Sequence, residues 1–308
     1  MSVTFLITLK QVLSMFFFLA VGFFMARKNF IPPDSSKTLS RLGTYLFYPA
    51  YSILNLASNL SPDMRKGSAG LILQGLIFLA VTLAVSFLLS RVFRHTGVDR
   101  NALLYIFAFS NYGYFGYPVM EVVFGGEFVA KTILFALPLS LTIGTLGYTL
   151  LTGKNKSVLQ MFVTPLTVAL TIGTVVGLCG ITLPPVVNSI LTGAKNCMSP
   201  VTMLLTGVVL GRFRPSELFR SKSSYLIAAI RLAALPLCCA AVLRICGVRG
   251  ISFAIPVIIS AMPVGLNTVL FTESSGIDSG ENARICFISY VLGLVTIPLA
   301  FVLGSSAM

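Results

Sequence analysis

Long apolar runs, separated by short clusters of charged residues, are the dominant pattern of this 308-residue sequence. A bilayer core of about 30 Å needs about 20 apolar residues per helix, so each such run is long enough to span a membrane. The predicted spans are residues 5–25, 40–58, 69–90, 102–123, 130–152, 158–180, 196–211, 224–244, 251–272 and 285–304. The pattern therefore predicts an all-α membrane protein with ten transmembrane helices.

The seventh span is the shortest, because Lys195 and Arg212 stand at its two ends. The apolar residues just before it, Val186 to Ala194, form a candidate interfacial segment that leads into the span.

Basic residues are distributed unevenly between the two sides of the predicted bundle. Fourteen lie in the loops that follow the odd-numbered helices, seven lie on the opposite side, and Arg231 lies inside a span. Because Lys and Arg concentrate in cytoplasmic loops, both termini are predicted to lie outside the cell. The strongest basic cluster near the first helix follows it, so that helix is expected to stay as an anchor. The predicted location is a cell membrane, in particular a bacterial inner membrane.

Composition excludes several classes of protein and function. The chain is 56% hydrophobic and only 10% charged, with a mean hydropathy of +0.92, whereas soluble domains have about a quarter charged residues. The net charge of +13 is therefore explained by membrane sidedness, and the expected partner is the lipid bilayer, not nucleic acid. Six cysteines without metal spacing and a single histidine, His95, predict no metal site and no cofactor. An intramembrane enzyme lacks its nucleophile and base, and a primary pump lacks its phosphate-binding loop.

Ten helices divide into two halves of five, residues 1–157 and 158–308. An odd number per half makes the second half enter the membrane from the opposite side, so the two halves are predicted to be inverted repeats. Transporters built from inverted repeats place their binding site where corresponding helices are broken near the bilayer midplane.

Helices four and nine are the candidates for such breaks. Helix four contains Gly113, Gly116 and Pro118, and helix nine contains Pro263, each in the middle of a charge-free span. Proline lacks the backbone N–H and clashes with the preceding turn, and glycine weakens a helix interior. Free backbone groups are tolerated at that depth only when they are buried in protein or line a watery cavity. The alternative is a pair of kinked packing helices.

These motifs resemble the auxin efflux carrier family, which includes PIN-type plant carriers and bacterial permeases. The resemblance covers essentially the whole chain and rests on Asn111-x-Gly113-x-x-Gly116-x-Pro118, Tyr48-Pro49, Ser199-Pro200 with Gly207 and Gly211, Arg231-Leu232 with Pro236, and Met262-Pro263. It implies inverted repeats with helices four and nine crossing at their breaks. It also implies an elevator mechanism, with a scaffold of helices 1, 2, 6 and 7 and a transport domain of helices 3–5 and 8–10. The scaffold is the candidate homodimer interface. The long loop of plant members between helices five and six is absent here, so its regulation by phosphorylation does not carry over.

The crossing of two broken helices predicts a site for a small organic anion. Half-helix N-termini carry partial positive charge, and the Asn111 amide would bind a carboxylate, with Asn267 and Thr268 in equivalent positions on helix nine. An interhelical hydrogen bond is the alternative role for each. The resemblance suggests malate or malonate as substrate. Cation/proton antiport or sodium symport on the same fold is the alternative function, but no intramembrane pair of acidic residues supports it.

Three charged residues have roles that the sequence leaves open. Arg231 lies within helix eight, where a guanidinium costs at least about 2.5 kcal/mol, so it either snorkels to the cytoplasmic side or lies near the crossing. Glu121 and Glu273, near the ends of helices four and nine, are candidate proton carriers or ordinary interfacial residues.

Overall fold

A computed structural model of the chain describes residues 3–32, 34–154 and 164–308. Helices dominate this part of the chain, as the apolar pattern predicts. Their bounds are α1 Val3–Arg27, α2 Ser35–Leu42, α3 Tyr48–Asn59, α4 Arg65–Val92, α5 Arg100–Ala108, α6 Tyr117–Phe124, α7 Gly126–Thr142, α8 Tyr148–Thr152, α9 Pro165–Leu178, α10 Pro185–Leu210, α11 Pro215–Leu218, α12 Lys222–Ala229, α13 Leu235–Ile245, α14 Ile251–Ser260, α15 Asn267–Ser274 and α16 Gly280–Ser305.

Short turns of other helix types connect several of these segments into longer rods. The π-helical turns are Gly43–Phe47, Tyr112–Gly116, Ile143–Gly147 and Ile230–Ala234, and the 3₁₀ turns are Pro62–Met64 and Phe93–Thr96. Predicted helix two is thus α2 with α3, helix five is α7 with α8, and helix eight is α12 with α13.

Five helical rods are long and apolar enough to cross a membrane on their own. They are Val3–Arg27, Gly67–Thr96, Gly126–Thr152, Lys222–Ile245 and Gly280–Ser305. Shorter apolar helices at Pro165–Leu178 and Ile251–Ser260 coincide with the sixth and ninth predicted spans. The chain is therefore a multi-pass membrane protein. At the other predicted spans, namely two, four and seven, the ten-span arrangement remains a prediction.

The seventh predicted span differs from its expectation. The structure has one continuous helix, α10, through the short predicted span and the apolar segment before it, and the interfacial position of that segment stays a prediction. Residues 186–194 contain neither Pro nor an internal break, and the charge of Lys195 is neutralised by Glu121, so the helix continues through that lysine. The start of the sixth predicted span, 158–163, and the predicted boundary between the two halves lie outside the described residues.

Two sets of helices can be distinguished by their packing. In one set α1 packs on α10, and α3 packs on α9 and α10. In the other set α4 packs on α5 and α7, α13 on α14, and α16 on α12 and α14; α16 also packs on α1 of the first set. Helices α1 and α10 approach closely, since a Cβ added at Gly207 would lie 2.0 Å from the backbone oxygen of Leu19.

Candidate functional site

The structure interrupts predicted helices four and nine and brings the two interruptions together. Helix four stops at Ala108, and helix nine is open from Ala261 to Leu266. Ser110 and Val264 form an isolated antiparallel bridge, and the backbone N–H of Asn111 donates to the Pro263 carbonyl at 2.8 Å. Backbone groups that leave the helical ladder inside a membrane protein need such partners, and each break supplies them to the other.

The break in helix four lies at the start of the predicted glycine and proline segment. Gly113 and Gly116 belong to the π-helical turn that follows, and Pro118 stands directly after that turn, near the start of α6, where it has no N–H to donate to the preceding helical turn. A Cβ at Gly116 would lie 3.1 Å from the sulfur of Met262, so glycine allows the two interrupted segments to approach closely.

Side chains from the last helix and from the break itself complete the hydrogen bonding of the crossing. Ser289 in α16 accepts from the backbone N–H of Val264 at 3.0 Å. The side-chain amide of Asn111 donates to the Tyr290 hydroxyl at 2.5 Å, and Ser110 donates to the Ile259 carbonyl at 2.8 Å. The crossing is therefore held in a fixed geometry by hydrogen bonds within the protein.

A cavity of about 1090 Å³ extends from this crossing to the protein surface. Its inner part is formed by the buried Asn111 and Gly113 of helix four and by the half-buried Asn267 at the start of α15. Its surface part includes Asp34 and Lys37, whose side chains are 82% and 77% exposed. The remaining polar and aromatic wall includes Ser36, Ser40, Arg41, Thr44, Tyr45, Tyr48, Ser110, Tyr112, Tyr114, Ser140, Tyr148, Arg212 and Glu273.

The charges that line the cavity are close together and partly neutralise one another. Lys37 bonds Asp34 at 2.8 Å, and its hydrogen bond and positive charge lower the pKa of that carboxyl. Arg212 pairs with Glu273 at 3.2 Å. Arg41 is a third basic residue of the lining, so basic side chains outnumber acidic ones.

The predicted site residues divide into two groups. Asn111, Gly113, Asn267 and Glu273 line the cavity. The residues of the other group do not line the cavity. They are Gly116, Pro118, Pro263, Thr268, Arg231 and Glu121. Thr268, for example, is fully buried, and its hydroxyl donates to the Gly265 carbonyl at 2.8 Å, so its proton is already used within the first turn of its own helix.

Arg231 does not snorkel to the surface. It is 2% exposed, and its guanidinium donates to the Ser260 carbonyl at 2.6 Å. Ser260 ends α14, where the helix dipole leaves partial negative charge, so the arginine neutralises a helix C-terminus at the crossing. It lies behind the cavity, where it contributes to the site through the backbone of helix nine.

Glu121 also lies outside the cavity lining, at the far end of α6. It accepts a hydrogen bond from the Tyr51 hydroxyl at 2.8 Å and forms an ion pair with Lys195 of α10. The carboxylate thus ties helix four to helices two and seven.

Sequence reasoning did not identify the aromatic and basic part of the cavity. Tyr112, Tyr114 and Tyr148 form part of its wall, and Arg212 stands where the cavity reaches the surface. The dense tyrosines from Tyr112 to Tyr117 were a usable signal, since hydroxyl-bearing rings in a charge-free span need polar partners. In the sequence, Arg212 indicated only which side of the membrane its loop faces, because its position against helix nine depends on the tertiary fold.

Within residues 3–32, 34–154 and 164–308, no group of three or more His, Cys, Asp or Glu side chains lies close enough to hold a metal ion.

Comparison with known proteins agrees with this architecture. The sequence profile of a family described as membrane transport protein matches residues 7–301. A protein of Methanothermobacter thermautotrophicus, named an uncharacterized transporter, is 24% identical over 302 residues, which cover 94% of this chain and 96% of that protein. A Schizosaccharomyces pombe protein, also named an uncharacterized transporter, is 31% identical over 90 residues, or 29% of this chain and 20% of its own length.

The profile match extends over nearly the entire sequence, and it confirms the resemblance that the helix-four and helix-nine motifs indicate. This chain therefore belongs to the membrane transport protein family, the family of PIN-like auxin efflux carriers, and is a membrane transporter.

Proposed function

We propose that this protein is a secondary transporter that moves a small organic anion, such as a carboxylate, by an elevator-type alternating-access mechanism. The observation that carries the proposal is the cavity that joins the helix crossing to the surface, with amides at its inner part and basic side chains toward the surface. Transporters with broken, crossed helices use the same region to bind their solutes.

The chemistry of the inner part of the cavity favours an anion. Tyr112 begins the helical turn that leads into α6, and Asn267 begins α15, so two helix N-termini border the cavity. Unpaired N–H groups and partial positive charge at helix N-termini favour negatively charged groups. The Asn111 side-chain amide has two N–H groups; one donates to Tyr290, and the other would donate to a ligand carboxylate.

The packing of the helices supports the elevator part of the proposal. Helices one, two, six and seven, which are α1, α2 with α3, α9 and α10, pack chiefly against one another. They would form the scaffold, and the other helices would carry the crossing as one transport domain. A homodimer through the scaffold belongs to the same proposal.

Inverted repeats are supported by corresponding contacts in the two halves. The contact of helix one with helix seven corresponds to that of helix six with helix two, and both pairs are close. Likewise, helix three packs on helices four and five as helix eight packs on helices nine and ten. Five helices per half then require opposite orientations in the membrane.

The cavity reaches the surface on the side that carries most loop arginines and lysines. Lys37, Arg41 and Arg212 belong to loops predicted to be cytoplasmic, so this arrangement would be the inward-open state with both termini outside.

Uptake by the purified protein in proteoliposomes tests the proposal. Vesicles with an imposed membrane potential should accumulate at least one of malate, succinate, acetate and benzoate in a saturable manner. Asn111→Asp should lower that uptake by about tenfold or more, because a buried carboxylate would repel the substrate. Asn188→Asp, at an exposed position of α10 outside the cavity, is the matched control. Uptake by Asn111→Asp at the control level would contradict an anion site at the crossing.

A further inference from the structure

One ion pair of the cavity wall connects the two sets of helices. Arg212 follows the end of α10 in the proposed scaffold, and its guanidinium donates to Oε2 of Glu273 at 3.2 Å. Glu273 lies in the last turn of α15, the half-helix that begins at the crossing. A second N–H group of Arg212 donates to the Ser36 hydroxyl of α2.

The geometry of this ion pair would allow another carboxylate to replace Glu273 at Arg212. Its donor–acceptor distance of 3.2 Å is longer than the 2.7–2.9 Å typical of strong charge-assisted hydrogen bonds. The side chains of Arg212 and Glu273 are 31% and 29% exposed, so water from the cavity reaches both. Ion pairs of this kind contribute little net stability, and a competing carboxylate can replace one partner.

Arg212 is better placed than Lys37 or Arg231 to receive such a competitor. Lys37 has Asp34 three residues away on its own highly exposed segment. Arg231 lies behind the crossing and does not line the cavity. Arg212 lines the cavity between α2 and α15, and its planar guanidinium matches a carboxylate in a bidentate manner.

Glu273 has a second hydrogen-bond partner if it loses Arg212. The Ser279 hydroxyl, in the loop before α16, donates to the other carboxylate oxygen of Glu273 at 3.3 Å. Displacement of Glu273 from Arg212 therefore leaves this carboxylate hydrogen-bonded and partly hydrated.

We infer that Arg212 is the residue that selects anionic solutes at the surface end of the cavity, and that Glu273 is the resident counter-ion which the solute displaces. This inference rests on the proposed transport of an organic anion. An anion bound to Arg212 repels the Glu273 carboxylate and removes the contact between the end of α10 and α15. Solute binding would thereby remove one of the contacts that hold the crossing half-helix to the scaffold, as an elevator movement requires.

Anion binding to purified protein in detergent tests the inference, measured as thermal stabilisation by malate, succinate, acetate or benzoate at constant ionic strength. Ligands that bind the native state raise its stability by mass action. Glu273→Gln removes the carboxylate that competes for Arg212 and should lower the half-saturating anion concentration by about two- to fivefold, the range expected for a weak ion pair. Arg212→Gln should abolish the stabilisation, and Arg212→Lys should retain part of it.

Glu127→Gln is the matched control, because it also removes an ion-paired carboxylate but lies outside the cavity lining. It should bind anions as the wild type does. A half-saturating concentration for Glu273→Gln equal to that of the control would overturn the inference, as would stabilisation of Arg212→Gln at wild-type concentrations. If Arg212→Gln cannot be purified, the comparison of the two glutamine variants decides alone.

The proposed function is read out separately, by uptake of the same anions into proteoliposomes. If the wild type takes up an anion but Glu273→Gln and Glu127→Gln have the same half-saturating anion concentration, the selecting role of Arg212 is overturned. Organic-anion transport then stands. Absence of wild-type uptake for every anion tested would overturn the proposed function. Absence of anion binding by Glu273→Gln would overturn the inference, whatever the uptake result.

Discussion

The guanidinium of Arg231 donates a 2.6 Å hydrogen bond to the carbonyl oxygen of Ser260, the last residue of α14. A charged side chain inside a membrane protein is costly unless it has a partner, and this partner is the free C-terminus of a broken helix. The arginine therefore stabilises the interrupted backbone of helix nine. It does so from the side of the crossing that faces away from the cavity.

Replacement of Arg231 should impair transport according to the charge that remains. Arg231→Ala leaves the Ser260 carbonyl without this donor, and an unsatisfied buried group costs about 1–3 kcal/mol. We expect uptake to fall about tenfold or more, since each 1.4 kcal/mol corresponds to a factor of about ten. Arg231→Lys keeps the charge and should retain clearly more uptake, measured in proteoliposomes at matched protein content.

Arg244→Ala provides the control for Arg231, because it removes an arginine from the same rod at its exposed end, where it bonds Ser306. It should transport as the wild type does. Near-wild-type uptake by both Arg231→Ala and Arg231→Lys would show that the crossing does not depend on this charge.

Close packing of α1 on α10 should make Gly207 irreplaceable. The added methyl group of Gly207→Ala would lie 2.0 Å from the Leu19 carbonyl oxygen, so the two helices would have to separate. Overpacking of this kind costs about 1–3 kcal/mol, and the melting temperature of the purified protein should fall. Gly193→Ala, on the same helix in open space, should keep or raise it, because alanine favours a helix interior by up to about 1 kcal/mol. Equal melting temperatures for the two variants would contradict the packing.

The sequence predicted the helices of this fold well because their signal is local. Apolar runs of membrane-spanning length and the Gly and Pro content of helices four and nine are properties of short windows, and the observed interruptions fall in those two helices. The continuous α10 was missed, because Lys195 was counted as the end of a span. Its neutralisation by Glu121 depends on two residues that are far apart in sequence.

The candidate site was only partly predictable for the same reason. Asn111 and Asn267 are polar residues beside helix breakers, and both line the cavity. Arg212 reaches the cavity because α10 ends beside α2 and α15, a relationship that no local pattern carries. Thr268 has a similar local signal to Asn267, yet its hydroxyl is satisfied within its own helix.

The ion pair of Glu121 and Lys195 should couple the two residues energetically. Their side chains are 26% and 20% exposed, and Glu121 also accepts from Tyr51, so the pair is more sheltered than an ordinary surface pair. A double-mutant cycle of Glu121→Gln and Lys195→Gln, measured by thermal unfolding, should give a coupling of about 0.5–1 kcal/mol. The Glu127–Lys131 pair of α7, in which the glutamate is 62% exposed, should give about 0.3 kcal/mol. Coupling no larger than in that control would contradict a sheltered contact between helices four and seven.

Native cysteines offer a direct test of the predicted orientation. Cys179 and Cys246 are exposed residues at the C-terminal ends of α9 and α13, in loops predicted to lie outside the cell. Variants that keep only one of them should react with a membrane-impermeant maleimide in intact cells. A His95→Cys variant without other cysteines, in the exposed turn after α4, should react only after the cells are opened. The reverse labelling pattern would place both termini in the cytoplasm, and the surface end of the cavity would then face outward.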